Sequence, residues 1–259
     1  MARDQVPFWA PPLLALQFLT RLPVPVLARL SREQAEDGLA RAMAWLPLVG
    51  AFIGSITAAV FVGASSLWPP ILAALLALAV EALLTGAFHE DAVADFCDAF
   101  GGTARGDTAL RIMRDSRIGT YGTVGLGLSM GLRLAAMLAV PVPLAPLAII
   151  AAASIGRLWA VLLAALVPPP ASGTGVAARI GSGMPGTRVA GAVLATIPGV
   201  LPLVLVQPLP LLSSAAVGAV FLWWLAGFLR DRIGGSTGDC LGFAAYMGQL
   251  SLLLAAAAS

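Results

Sequence analysis

The chain has no lysine, one histidine and two cysteines, and only 11% of its 259 residues are charged. Soluble domains carry about 25% charged residues, so there is too little charge to coat a soluble globule of this size. All 15 basic residues are Arg and the net charge is only +2. A basic footprint for nucleic acid is absent, and no nucleic-acid partner is expected. Cys97 and Cys240 make no disulfide framework. No cleavable signal peptide is visible, because Arg3 and Asp4 precede a short apolar stretch broken by Pro11 and Pro12. Internal repeats and low-complexity linkers are also missing.

What the chain does have is apolar sequence: 59% hydrophobic residues and a mean hydropathy of +0.92. A helix needs about 20 apolar residues to cross a bilayer. Seven stretches qualify, at about 43–65, 71–88, 123–140, 144–167, 189–206, 210–229 and 240–258. The expected fold is therefore an all-α polytopic transmembrane bundle. Residues 1–42 would form a cytoplasmic or interfacial segment and 43–259 the bundle, within one integral membrane domain. Stretch 9–20 is too short to span and suits an interfacial or re-entrant helix. Segment 29–41 is polar, helical in pattern and expected at the surface.

Charge placement sets the topology. Connections 66–70, 141–143 and 207–210 carry none, and neither does the tail after Asp239. The N-terminal segment and connections 89–122, 168–188 and 230–239 hold nearly all the arginines. Positive residues stay inside, so these alternate loops are expected on the cytoplasmic face, with the N-terminus in and the C-terminus out. The two cysteines fall on the same side, where thiols stay reduced.

The acids gather in the same loops. Asp91, Asp95 and Asp98 stand at i, i+4 and i+7, within roughly 60° of one another on a helix. Stacked carboxylates repel unless a cation lies between them, and carboxylate oxygens are natural ligands of Mg²⁺. These three are the expected metal ligands and catalytic acids; the alternative is a solvated acidic helix face. Arg111, Arg114 and Arg117 follow, with Asp115, Ser116 and Tyr121 among them. Such arginines suit bidentate phosphate binding or anchor the third span. In Gly234–Asp239, glycines permit a tight loop whose N–H groups face an anion, with Thr237 and Asp239 as candidates. Loop 168–188 reads either as a lid over a substrate or as a plain connection. Glu81, Arg133 and Arg157 lie at membrane depth, where ionisable residues face the bundle interior and find partners. Arg157 follows a run of small residues, Ser154 to Gly156, read as a break that brings it near a site. His89 is a candidate ligand, base or polar contact.

The blocks together resemble a known family. Phe18-Leu19-Thr20-Arg21-Leu22-Pro23-Val24-Pro25 is similar to the N-terminal signature of the cobalamin synthase family, the adenosylcobinamide-GDP ribazoletransferases. His89-x-Asp91-x-x-Ala94-Asp95-x-x-Asp98, Arg114 to Gly122, and Gly234-Gly235-x-Thr237-Gly238-Asp239-x-x-Gly242 resemble its later blocks, in family order over nearly the whole chain. The resemblance implies a Mg²⁺-dependent enzyme of the cytoplasmic membrane. It would join adenosylcobinamide-GDP to α-ribazole, or to its 5′-phosphate, and release GMP. It also implies substrate contacts for His89, Arg111, Arg114, Asp115, Ser116, Arg117, Tyr121, Arg157, Thr237 and Asp239. Asp98 is then the first choice of base, with Asp115 and Asp239 competing. Membrane lipid is the expected surroundings. Self-association and a complex with other corrinoid-pathway enzymes are left open. Ala92 and Ala99 stand where the family pattern has Gly, and Glu90 adds a fourth acid. A CDP-alcohol phosphotransferase acting on lipid head groups and a divalent-cation transporter are the alternatives; the Ala residues fit the first poorly, and the one-sided polar residues argue against the second.

Overall fold

A computed structural model describes residues 5–170 and 184–258. Among these residues the regular structure is helical throughout, without strands. Most of the loop read as a candidate lid, together with Arg179 and Arg3, lies outside the described residues.

The polar entry comes first. Helix α1 (Ala10–Leu19) is short and apolar, with Pro11 and Pro12 at its start, where a missing N–H costs nothing. Helix α2 (Arg32–Ala42) is the expected polar surface helix. Its start is fixed by a capping box in which Ser31 Oγ accepts from the Gln34 N–H and Gln34 Oε1 accepts from the Ser31 N–H. The chain then runs almost without interruption into α3 (Leu46–Ser65).

Helices α4 (Pro70–Thr85) and α5 (Phe88–Phe100) form a pair bent by 88°. Gly86 and Ala87 make the corner with φ of 72° and 56°. The left-handed region costs a non-glycine residue about 1–2 kcal/mol, so surrounding contacts must hold Ala87 there. Helix α6 (Gly106–Met113) leads into α7 (Thr120–Ala139), α8 (Ala145–Leu166), α9 (Gly186–Val206), α10 (Leu209–Ile233) and α11 (Gly238–Ala257). Six helices are long and apolar enough to cross a bilayer, or seven if the bent pair counts as one span. The expected count of seven holds only through that pair. The second span is shorter than expected because Gly86 ends α4.

Helix α8 is the hub, packed by α3, α9 and α11. Small side chains let the backbones approach, the usual basis of helix association in lipid. A Cβ added at Gly50 would strike the Ala153 carbonyl, and one at Gly156 would strike that of Ala245. The expected break at Ser154–Gly156 is thus absent: α8 is continuous, Ser154 Oγ donates to the Pro47 carbonyl at 2.9 Å, and Gly156 is a packing contact. Helices α9 and α10 turn Leu194, Val220 and Trp223 outward, as lipid-facing helices do.

The ionisable residues at membrane depth form one buried network. Glu81 Oε2 accepts from Arg133 Nη2 at 2.6 Å and from Thr57 Oγ1 at 2.9 Å. Arg133 Nη1 reaches Glu90 at 3.5 Å, across the α4–α5 corner. Gln249 Nε2 donates to Glu81 at 3.3 Å, while its Oε1 accepts from Arg157 Nη1 at 2.8 Å. Two arginines balance two glutamates. Removing one partner of a buried pair costs about 3–5 kcal/mol, because the remaining charge has nowhere to go. Arg133→Met is expected to lose stability on that scale in detergent unfolding, and Glu81→Gln combined with Arg133→Met to lose clearly less. Equal losses would show that the charges are not coupled.

Candidate active site

The site is built at one end of the bundle, where α5, α6, the start of α7 and the start of α11 meet. Helix α5 runs across α4 rather than along it, at 88°. Ala92 and Ala99, the two departures from the family pattern, lie inside α5 in ordinary helical conformation and are buried. The only non-glycine residue with positive φ among the described residues is Ala87, at the corner. Ala92 faces Gly242 of α11, where a second Cβ would collide, so the two positions form a small-residue contact that brings α5 and α11 together.

The three stacked aspartates stand on one continuous helix but meet different surroundings. Asp98 faces α7, and its two oxygens accept from the Gly119 and Gly122 N–H groups at 2.6 and 2.8 Å. It caps the N-terminus of α7, where a carboxylate is favoured by unpaired N–H groups and the helix dipole. A Cβ at either glycine would strike that carboxylate. Asp91 is exposed and Asp95 half-buried. Burial pushes the Asp95 carboxyl up to about 7, with further push from the charges of Asp91, Asp239 and Asp98. Asp239, in the first turn of α11, therefore joins the acids of α5 from a second helix.

The arginine block is divided too. Arg117 grips Asp115 with two side-chain bonds, Nε to Oδ1 at 3.0 Å and Nη2 to Oδ2 at 2.6 Å, and its backbone N–H also donates to Oδ1. These bonds pull Asp115 down to about 2, which makes it a poor proton acceptor near neutral pH. Arg114 acts electrostatically on Asp239 and so borders the acids. Arg111, Ser116 and Tyr121 are exposed at the same end.

The Gly234–Asp239 loop is occupied by the protein itself. Ser236 N–H and Oγ donate to the Pro168 and Val167 carbonyls at 3.0 and 2.6 Å, and Gly235 packs on Pro168–Pro170. Thr237 Oγ1 accepts from the Cys240 N–H and caps α11. This loop sets where α11 begins and hence where Asp239 stands; its Ser236 N–H is not free for an anion. His89 and Arg157 are buried in the wall of an apolar cleft. Sequence reasoning missed Gln249, the link between Glu81 and Arg157; a lone amide within an apolar span was its signal.

Among the described residues, no three His, Cys, Asp or Glu side chains form a ready-made metal cage. Mg²⁺ usually takes one or two carboxylates plus substrate phosphates. Asp91 and Asp239 supply such a set, placed at one end by the Ala92–Gly242 contact between α5 and α11. The donor chemistry therefore fits the ion.

The raised Asp95 carboxyl has a consequence for stability. A group whose folded pKa lies above its unfolded value stabilises fully below the unfolded value, here 3.8, and loses that contribution as pH rises through about 7. Without divalent ions, the unfolding midpoint is expected to fall between pH 5 and 8 by more than in Asp95→Asn. Parallel curves for the two proteins would show that Asp95 is not so placed.

The cobalamin-5-phosphate synthase family matches residues 11–257. A protein of Bradyrhizobium diazoefficiens named adenosylcobinamide-GDP ribazoletransferase is 42% identical, covering 95% of this chain and 92% of the relative. Proteins of the same name from Azorhizobium caulinodans and Ralstonia nicotianae are 40% and 37% identical, each over 93% of this chain and 92% of the relative. No solved structure matches. With the family's span covering almost every helix described above, the chain belongs to the cobalamin-5-phosphate synthase family.

Proposed function

We propose that this chain catalyses the reaction for which its relatives are named. The cobinamide phosphate of adenosylcobinamide-GDP passes to the 3′-hydroxyl of α-ribazole, or of its 5′-phosphate, and GMP leaves. One P–O bond forms as another breaks, and the hydroxyl proton needs an acceptor. The observation that carries this reading is the close packing of α5 on α11 at Ala92 and Gly242, which puts Asp91 and Asp95 on α5 at the same end as Asp239 on α11. Carboxylates gathered there call for a cation, and the arginines supply the counter-charge for phosphate.

Asp91 and Asp239 would hold Mg²⁺, which when bound neutralises charge on the diphosphate. Asp95 is the favoured proton acceptor: it stands one turn from Asp91 on α5, half-buried, and among the described residues lacks the hydrogen bonds that occupy Asp98 and Asp115. Asp98, first choice from the sequence, has both oxygens taken by α7, and its part is to hold the Gly119–Gly122 turn and the neighbouring arginines in place. Arg114 and Arg111 would bind phosphate oxygens; Arg117 joins them with one side tied to Asp115. The arginine-rich end would face the cytoplasm of the inner membrane, following the positive-inside rule.

In lipid-reconstituted protein with Mg²⁺, Asp95→Asn is expected to slow GMP release by about 10²–10⁴-fold, the usual contribution of a general base. Asp91→Asn should lower the apparent affinity for Mg²⁺ as well as the rate. Near-normal turnover in both variants would remove these assignments.

A further inference from the structure

The chemistry assigned so far uses nothing from the Phe18–Pro25 block, yet that block holds a cation against the α4–α5 corner. Thr20 ends α1 in extended conformation, and its Oγ1 donates to the Leu16 carbonyl and accepts from the Leu22 N–H. Between them, the Arg21 N–H donates to the Leu84 carbonyl of α4 at 2.8 Å. The Arg21 backbone is therefore held from both sides. Its side chain is exposed and lies along the Gly86 backbone, where an added Cβ would stand 2.5 Å from Arg21 Nε. Gly86 serves the corner twice, by its positive φ and by leaving room for that guanidinium. Among the described residues no hydrogen bond or ion pair engages the guanidinium.

This cation borders the row of acids. Phe88 precedes Asp91 by three residues and Asp95 by seven, so it shares their face of α5. Its ring meets that of Phe18 edge-on at 5.4 Å, which sets the end of α1 at the N-terminal end of that face. Gly86 is five residues before Asp91, so the guanidinium stands within roughly 15 Å of the Asp91 backbone. The other arginine block lies at the far end of the row, since Arg117 is two residues before Gly119, whose N–H bonds Asp98. From Asp91 to Asp98 the row runs about 10 Å. A cation therefore flanks each end.

Phosphoryl transfer sets the entering and leaving oxygens roughly in line, on opposite sides of the phosphorus. With GMP leaving on the side of Arg114 and Arg117, the acceptor enters from the corner, where the unpaired cation is Arg21. A 5′-phosphorylated acceptor carries an anion two sugar carbons along from its nucleophilic 3′-oxygen. Resting on the ribazole reading above, we infer that Arg21 binds the 5′-phosphate of incoming α-ribazole 5′-phosphate and so distinguishes the phosphorylated acceptor from α-ribazole itself. The guanidinium fork matches two phosphate oxygens, and a backbone already held in place leaves less freedom to lose on binding. No bond to this phosphate is made or broken, so Arg21 acts on the choice and placement of the acceptor and not on the transfer step.

The test is steady-state kinetics of the full-length protein in lipid nanodiscs, with adenosylcobinamide-GDP and each acceptor in turn. Arg21→Ala is expected to lower the ratio of kcat/KM for α-ribazole 5′-phosphate to that for α-ribazole by about tenfold or more, as loss of charged hydrogen bonds does. Arg21→Lys, which keeps the charge and loses the fork, should fall between. The bond to Leu84 comes from the backbone, so both variants retain it. A purely structural role would slow both acceptors alike and keep the wild-type ratio, which would overturn the inference. A KM rise confined to adenosylcobinamide-GDP would overturn it too, by assigning Arg21 to the diphosphate. The fall in ratio should be the same in discs of phosphatidylcholine and of phosphatidylglycerol; an effect of the substitution seen only with phosphatidylglycerol would assign Arg21 to a lipid headgroup instead. Wild-type protein that forms no product with either acceptor would overturn the reaction itself and the inference with it, whereas an unchanged ratio in active variants overturns the inference alone.

Discussion

Arg133 holds two carboxylates that belong to helices running nearly at right angles, Glu81 on α4 and Glu90 on α5. A salt bridge shut away from water depends on geometry, since its desolvation is repaid only by close, well-directed contacts. The corner at Gly86–Ala87 costs conformational energy, and the cation spanning it is one of the contacts that offset that cost. The direction of α5 follows from this, and with it the placement of Asp91 and Asp95. Gln249 and Thr57 extend the network to α11 and α3, so the helices that build the site are tied to one buried cluster of charge.

Around that anchor, acids in the same sequence block take different roles because they meet different neighbours. Asp98 meets the bare N–H groups of α7 and becomes a cap. Asp95 meets burial and other carboxylates, which push its carboxyl up to about 7. Asp115 meets a guanidinium at bonding distance and loses its proton readily. Chemical identity is constant across the three; environment is not. A base, a ligand and a structural cap can thus be drawn from a single residue type.

Arginines at this end also have structural duties. Arg230 donates to the Leu166 carbonyl at the end of α8, and Arg232 to the Phe100 and Gly102 carbonyls at the end of α5. The last carbonyls of a helix lack internal partners, and a cation there also opposes the dipole. Arg105 pairs with Asp231 across the same gap. The positive charge that orders the topology along the chain therefore also closes helix ends, which leaves Arg111, Arg114 and Arg117 as the block nearest the acids.

The sequence by itself determined the architecture and the end of the bundle that carries chemistry. Bilayer thickness fixes how long an apolar run must be, and the cost of charge in lipid fixes where arginines and aspartates can stand; both are properties of a linear pattern. It also determined that Glu81, Arg133 and Arg157 need partners. Tertiary structure alone decided which partners they have, that Ser154–Gly156 is a packing surface and not a break, and that Asp98 turns to α7 while Asp239 arrives from α11. It decided as well that His89 and Arg157 line one apolar cleft. Those outcomes depend on which helices touch and at what angle, and the α4–α5 angle in particular is set by a corner and a buried ion pair between residues far apart in the chain, which no local spacing encodes.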